Sequence, residues 1–105
     1  MEKPNLKKIE LIAGDSLEFK EQLIAIIKEE LPIEINLYKN HLVDNEYLKC
    51  AEDVHKLKHK ISILNLDAGY ELAISYENEL RAGAPKSAVL FDETLNAMIN
   101  FVEKL

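Results

Sequence analysis

Cysteine occurs once in this sequence, at Cys50, and glycine and proline occur three times each. A single cysteine excludes an intramolecular disulfide and suits a reducing compartment. So few glycines leave no Gly-rich phosphate-binding loop, and so few breakers leave room for long uninterrupted elements. No apolar run approaches the length of a membrane span. Met1-Glu2-Lys3-Pro4-Asn5 lacks the apolar core of a signal peptide, so a cytoplasmic location is expected. Basic residues are outnumbered, 13 Lys and Arg against 19 Asp and Glu, for a net charge of −6. That balance argues against nucleic acid as the main partner. No Asn-Gly or Asp-Gly hairpin signal is present.

What is there is helical periodicity. The chain has 105 residues, 48% of them apolar, which suits a single domain over residues 1–105 with one hydrophobic core. Leu6 to Ile12 suits a short helix ending near Gly14. Asp15, with Glu18 three residues on, reads as a capping box. Phe19, Leu23, Ile26, Ile27 and Leu31 then step by threes and fours. Ile35, Tyr38 and Leu42 continue the pattern beyond Pro32, so one long helix with a kink at the proline is expected, with two abutting helices as the alternative.

Asp44 reads as the cap of a third segment, about Glu46 to Leu64, with Leu48, Ala51, Val54, Leu57, Ile61 and Leu64 as its apolar positions. Asp67 reads as the next cap, before a segment carrying Leu72, Tyr76 and Leu80 and closed by Arg81-Ala82-Gly83-Ala84-Pro85. A last helix starts at Pro85 or Ser87 and carries Val89, Phe91, Leu95, Met98, Ile99 and Val102. The expectation is an all-α chain: an antiparallel, up-down four-helix bundle with a short extra N-terminal helix. Cys50 is expected as a small buried hydrophobe. Tyr38, Tyr47, Tyr70 and Tyr76 are expected at the core edge with their hydroxyls outward.

The stretch Val54–Leu66 carries the chemistry. At about 100° per residue, Val54, Leu57, Ile61 and Leu64 share one face, and His55 lies about 140° from its centre, in solvent. An exposed neutral imidazole is a nucleophile near neutral pH. Lys58, three residues on, brings an ammonium to the same side and offers a phosphoryl group a charged partner. Ala51 and Ser62 are small neighbours that leave room for a second protein. With no phosphate-binding loop of its own, the chain must receive any phosphate from another protein. Leu48, Ile63 and Leu66 fall off the core face. They pack against a neighbouring helix or form an apolar docking patch beside the histidine. Lys56, Lys58 and Lys60 form a basic spot in an acidic chain. His55 and His59 have the spacing of two metal ligands on one helix, but no carboxylate cluster completes a site, so no metal is expected.

On these residues the chain resembles the histidine-containing phosphotransfer domain of bacterial phosphorelays. His55-Lys56-Leu57-Lys58 matches the first part of that family's motif. Leu11-Ile12-Ala13-Gly14-Asp15 is similar to its approach to the second helix, and Glu79-Leu80-Arg81-Ala82-Gly83 to the end of the helix after the motif. His59 and Asn65 stand where the family has glycines. The resemblance implies that His55 accepts a phosphoryl group from an aspartate of one receiver domain and passes it to another, with Lys58 neutralising its charge. It implies a phosphoryl carrier with no catalytic activity of its own. It implies no cofactor, the Mg²⁺ being held by the receiver. The implied partners are response-regulator receivers and a hybrid sensor histidine kinase, and the implied state is a monomer. Leu48, Ala51, Lys56, His59, Ser62 and Ile63 are then the candidate docking residues. The alternative is a module that docks a receiver without carrying phosphate.

Overall fold

The structure, a computed structural model, describes residues 2–105. Among them there are five helices and no strand. They are α1 (Lys7–Ala13), α2 (Leu17–Val43), α3 (Tyr47–Ile63), α4 (Asp67–Arg81) and α5 (Ala88–Glu103). The helix α3 packs against α2 and α4, α5 packs against the same two helices, and α1 lies against α2. No helix among the described residues is long and apolar enough to cross a membrane. The helix α2 continues through Pro32 as one element, because the residues beyond the proline still bury Ile35 and Tyr38.

Three helices stop in the same way. After α2 the amide of Glu46 donates to the His41 carbonyl and that of Asn45 to Leu42. After α3 Leu66 donates to Ile61 and Asn65 to Ser62, and after α4 Ala84 donates to Glu79 and Gly83 to Leu80. Each is a Schellman closure, which needs a left-handed residue just past the helix. Asn45, Asn65 and Gly83 supply it at φ 57°, 64° and 76°. Asparagine tolerates this conformation better than most side chains, so the chain turns tightly with few glycines. Leu66 thereby lands inside, only 2% exposed, rather than off the core face.

The helix starts differ from expectation. Ser16, not Asp15, caps α2, its Oγ accepting from the Phe19 amide at 3.1 Å. Asp44 ends α2 instead of capping α3, because the Asn45 turn intervenes. Asp67 is already the first residue of α4. The donors there are satisfied from far along the chain: the Glu2 carboxylate accepts from the amides of Ala68 and Gly69 at 2.9 and 2.8 Å. Glu79 does the same for α5, accepting from the Ser87 amide and hydroxyl at 2.8 Å.

The core corrects the tyrosine expectation for two residues. Tyr38 and Tyr76 are fully buried, and their hydroxyls meet at 2.5 Å. An unpaired buried hydroxyl would cost about 1–3 kcal/mol, so the pair satisfies itself between α2 and α4. The Tyr38 ring stands edge-on to Phe91 of α5, with centroids 5.4 Å apart. Gly69 lets α4 approach α5 closely, since a Cβ there would lie 3.1 Å from Thr94 Cγ2. Cys50 is wholly buried. Desolvation, aided by the charge of Asp53, pushes its thiol up to about 11.

The turn chemistry makes a prediction. Asn65→Gly should lower the unfolding free energy by about 0.5–1 kcal/mol, through loss of the bond from Asn65 Nδ2 to Asn5 Oδ1, because glycine itself reaches positive φ freely. Asn65→Val loses the same bond and should lower it by about 1–2 kcal/mol more. Urea unfolding of both variants beside the parent checks this; equal stability of the two would remove the left-handed account of the turn.

Candidate functional site

Burial of Val54, Leu57, Ile61 and Leu64, each 0% exposed, fixes the rotation of α3. His55 consequently faces solvent, with 56% of its side chain exposed. Across the groove on α4 stands Glu77, one residue past the buried Tyr76. His55 Nδ1 lies 3.3 Å from Glu77 Oε1, and Lys58 Nζ lies 3.0 Å from the same oxygen. Arg81 Nη2 lies 3.0 Å from the other oxygen, one turn further along α4. One carboxylate therefore gathers three basic groups.

That geometry assigns roles the sequence alone did not. A carboxylate against Nδ1 selects the tautomer with the proton on Nδ1. The Nε2 lone pair is then free and directed outward. Lys58 is not a loose surface cation; its side chain is only 15% exposed and it is held by Glu77. Burial by itself raises the Glu77 carboxyl. The hydrogen bonds from Lys58 and Arg81 and the Lys58 charge together outweigh it and hold Glu77 below the ordinary carboxylate range. Glu77 is the functional candidate missed from sequence. Its spacing to Arg81 was legible as a helical ion pair, but its level opposite His55 depends on how α3 and α4 align.

The other site residues separate into distinct surroundings. His59 is exposed beside His55, with ring centroids 5.8 Å apart and planes at 75°. Lys56 is exposed and Ser62 half-buried. Ala51 was expected as a small surface neighbour, but it is wholly buried, because it lies three residues before Val54 on the same stripe. Ile63 packs against the core rather than forming a free docking contact. Leu48 remains 64% exposed. It lines a hollow of about 550 Å³ with Tyr47, Leu80, Arg81, Ala82 and Gly83. Lys60 does not add charge beside His55. Its ammonium binds Glu30 and Glu34 of α2 at 2.9 and 2.8 Å. Burial lowers the Lys60 ammonium, and the two carboxylates more than offset this and hold it above its ordinary value.

A second histidine–carboxylate pair lies elsewhere. His41 Nδ1 is 2.5 Å from Asp53 Oδ2, and Asp53 is the one buried charged residue among those described. It joins α2 to α3 away from the exposed imidazoles. Among the described residues no cluster of three His, Cys, Asp or Glu is arranged to hold a metal ion.

Comparison of the chain with protein-family models, with curated proteins and with solved structures finds no match.

Glu77 makes the site sensitive to acid in a defined direction. A carboxyl depressed in the folded state contributes stability that is present above its unfolded value and lost as pH falls through the folded one. The parent should therefore exceed Glu77→Gln in stability at pH about 6, and the difference should shrink toward pH about 3. Chemical denaturation across that range measures it; a constant difference would contradict the ion-pair account. In the same variant, ¹⁵N shifts should show His55 losing its preference for the Nδ1–H tautomer, while His41 keeps its own.

Proposed function

We propose that this chain is a histidine phosphotransfer module of a two-component phosphorelay. In this reading α2 to α5 form an antiparallel four-helix bundle, with α1 as a short addition. The observation that carries it is the exposed His55, whose Nδ1 is held by Glu77 while Lys58 stands one turn away. The likeness of His55-Lys56-Leu57-Lys58 to the family motif supports it.

In this reading the mechanism is direct transfer to the imidazole. Nε2 of His55 attacks the phosphorus of a receiver's aspartyl phosphate. The N–P bond forms as the P–O bond to the aspartate breaks, and the aspartate leaves as a carboxylate. Positive charge grows on the imidazole during attack. Glu77, already accepting from Nδ1–H, stabilises that charge where it develops. Lys58 exchanges Glu77 for a phosphoryl oxygen, and Arg81 keeps Glu77 paired meanwhile. The reverse sequence hands the group to a second receiver. Mg²⁺ for both steps sits in the receiver, so the chain needs no cofactor and turns over nothing alone. A hybrid kinase supplies the phosphate upstream. Leu48 and the hollow beside Arg81 offer the receiver an apolar contact about two helical turns from the nucleophile. The setting is cytoplasmic and the chain acts as a monomer.

One observation favours a second reading. His59 crowds His55, where the family has a glycine, and Lys58 is committed to Glu77. A module that docks receivers without carrying phosphate would have these features.

Incubation with a phosphorylated receiver separates the two. The parent and His59→Gln should gain an acid-labile, alkali-stable phosphate. His55→Gln should gain none, and Lys58→Ala should be slowed by on the order of 10- to 100-fold. A labelled His55→Gln would overturn the assignment. An unlabelled parent that still binds receivers would establish the docking reading instead.

A further inference from the structure

The pair His55 and His59 has a chemistry independent of phosphate. Both side chains lie on the exposed side of α3, four residues apart, the spacing that stacks two side chains one helical turn apart. Their ring centroids are 5.8 Å apart. An ion about 2.0–2.1 Å from each Nε2 would place the two centroids about 5 Å apart in tetrahedral geometry. The difference is within a small rotation of two exposed rings.

The second observation concerns how His55 is held. Its Nδ1 faces the Glu77 carboxylate at 3.3 Å. Histidines that ligate metals commonly donate their other ring N–H to a carboxylate, which fixes the ring and raises the basicity of the ligating nitrogen. Glu77 stands in that position, with its charge shared among Lys58 and Arg81. His59 has no hydrogen-bonding partner among the described residues, so its ring is available. Lys56 and Lys58 oppose a cation nearby. Glu77 offsets one of the two charges of Lys58 and Arg81, and the exposed Lys56 can hold its ammonium out in water, where the high dielectric weakens its repulsion. Direct bonds to two neutral imidazoles outweigh that residual repulsion.

We propose that His55 and His59 form a two-imidazole chelate for a borderline transition-metal cation of the Zn²⁺ class. No third protein ligand joins them, so water fills the remaining positions, and binding is reversible rather than structural. Imidazole ligands select Zn²⁺, Cu²⁺ or Ni²⁺ and not Mg²⁺, which demands oxygen donors. The bond uses the Nε2 lone pair of His55. A bound metal therefore closes that atom to other electrophiles. A zinc-dependent block of phosphoryl acceptance follows only if the phosphotransfer reading holds; the chelate itself does not depend on it.

The test is calorimetric titration of ZnCl₂ into the full chain in a non-coordinating buffer. One ion per chain should bind. His55→Gln and His59→Gln should each weaken binding at least tenfold. Glu77→Gln should weaken it by about tenfold through loss of ring orientation, and His41→Gln should leave it unchanged. Mg²⁺ at millimolar levels should not compete. Absence of saturable binding, or affinity that survives His59→Gln, would overturn the proposal. A parallel transfer assay addresses the consequence. Zinc should block labelling of the parent more than of His59→Gln, with the same receiver in both. A failure of labelling without zinc would count against the phosphotransfer reading and leave the calorimetric result intact.

Discussion

Everything at the exposed site depends on the rotation of α3 about its own axis. Val54, Leu57, Ile61 and Leu64 are all completely buried, and each contributes roughly 1.5–3 kcal/mol by leaving water. A surface ion pair contributes about 0–1 kcal/mol. The hydrophobic stripe therefore decides which way α3 faces, and the contacts of His55 and Lys58 with Glu77 adapt to it. The same rotation that buries Leu57 turns its neighbour Lys56 to solvent and leaves Lys58 at the edge, within reach of α4. Tyr76, buried one residue before Glu77, fixes α4 in turn. Its hydroxyl bond to Tyr38 ties that helix to α2. The placement of a carboxylate beside an exposed imidazole is thus a product of core packing on both sides of the groove.

The helices and their apolar faces were legible from the sequence because burial leaves a periodic trace. The spans expected near Leu6–Ile12 and Glu46–Leu64 match α1 and α3 to within a residue at each end, and the helix through Pro32 stays whole. The caps were less legible, for a physical reason. An N-cap side chain is local only when the chain supplies it locally, as Ser16 does. At α4 the accepting carboxylate is that of Glu2, 66 residues away, and at α5 it is that of Glu79, inside the preceding helix, so neither stands at the local cap position. The turns at Asn45 and Asn65 were readable in principle. An asparagine just past a helical stripe is a left-handed stop, and Asp44 drew the reading toward a cap instead.

The site was half legible. The exposure of His55 follows from the wheel, as does the place of Lys58 three residues on, but the burial of most of the Lys58 side chain against Glu77 does not. Glu77 required the alignment of two helices across the Asn65 turn, because 22 residues separate it from His55. Ala51 misled because its small size suggested access, whereas on a helix small size equally suits close packing. Tyr38 and Tyr76 misled because a lone phenol belongs at the core edge. Two phenols that meet can both go inside, and only tertiary structure reveals that they meet.

The distribution of charge sharpens the chemistry of this surface. Among the lysines of α3 near the histidines, Lys58 is bound by α4 and Lys60 by α2. Their charges stitch α3 to its two neighbours and are not presented to a partner. The free basic character reduces to Lys56, two imidazoles and the outer edge of Arg81. In the proposed reading, an anionic group at His55 would meet a modest standing field, from Lys56 and the one positive charge that Glu77 leaves unmatched. Under that proposal a direct contact from Lys58 to the anion would require it to leave Glu77. Arg81 makes that exchange feasible, because it retains the carboxylate that Lys58 gives up. Glu77 would meanwhile remain against Nδ1, so the ring would keep its orientation. The Glu77 carboxylate carries one negative charge against the two positive charges of Lys58 and Arg81, so the four groups hold one net positive charge beside the exposed imidazole.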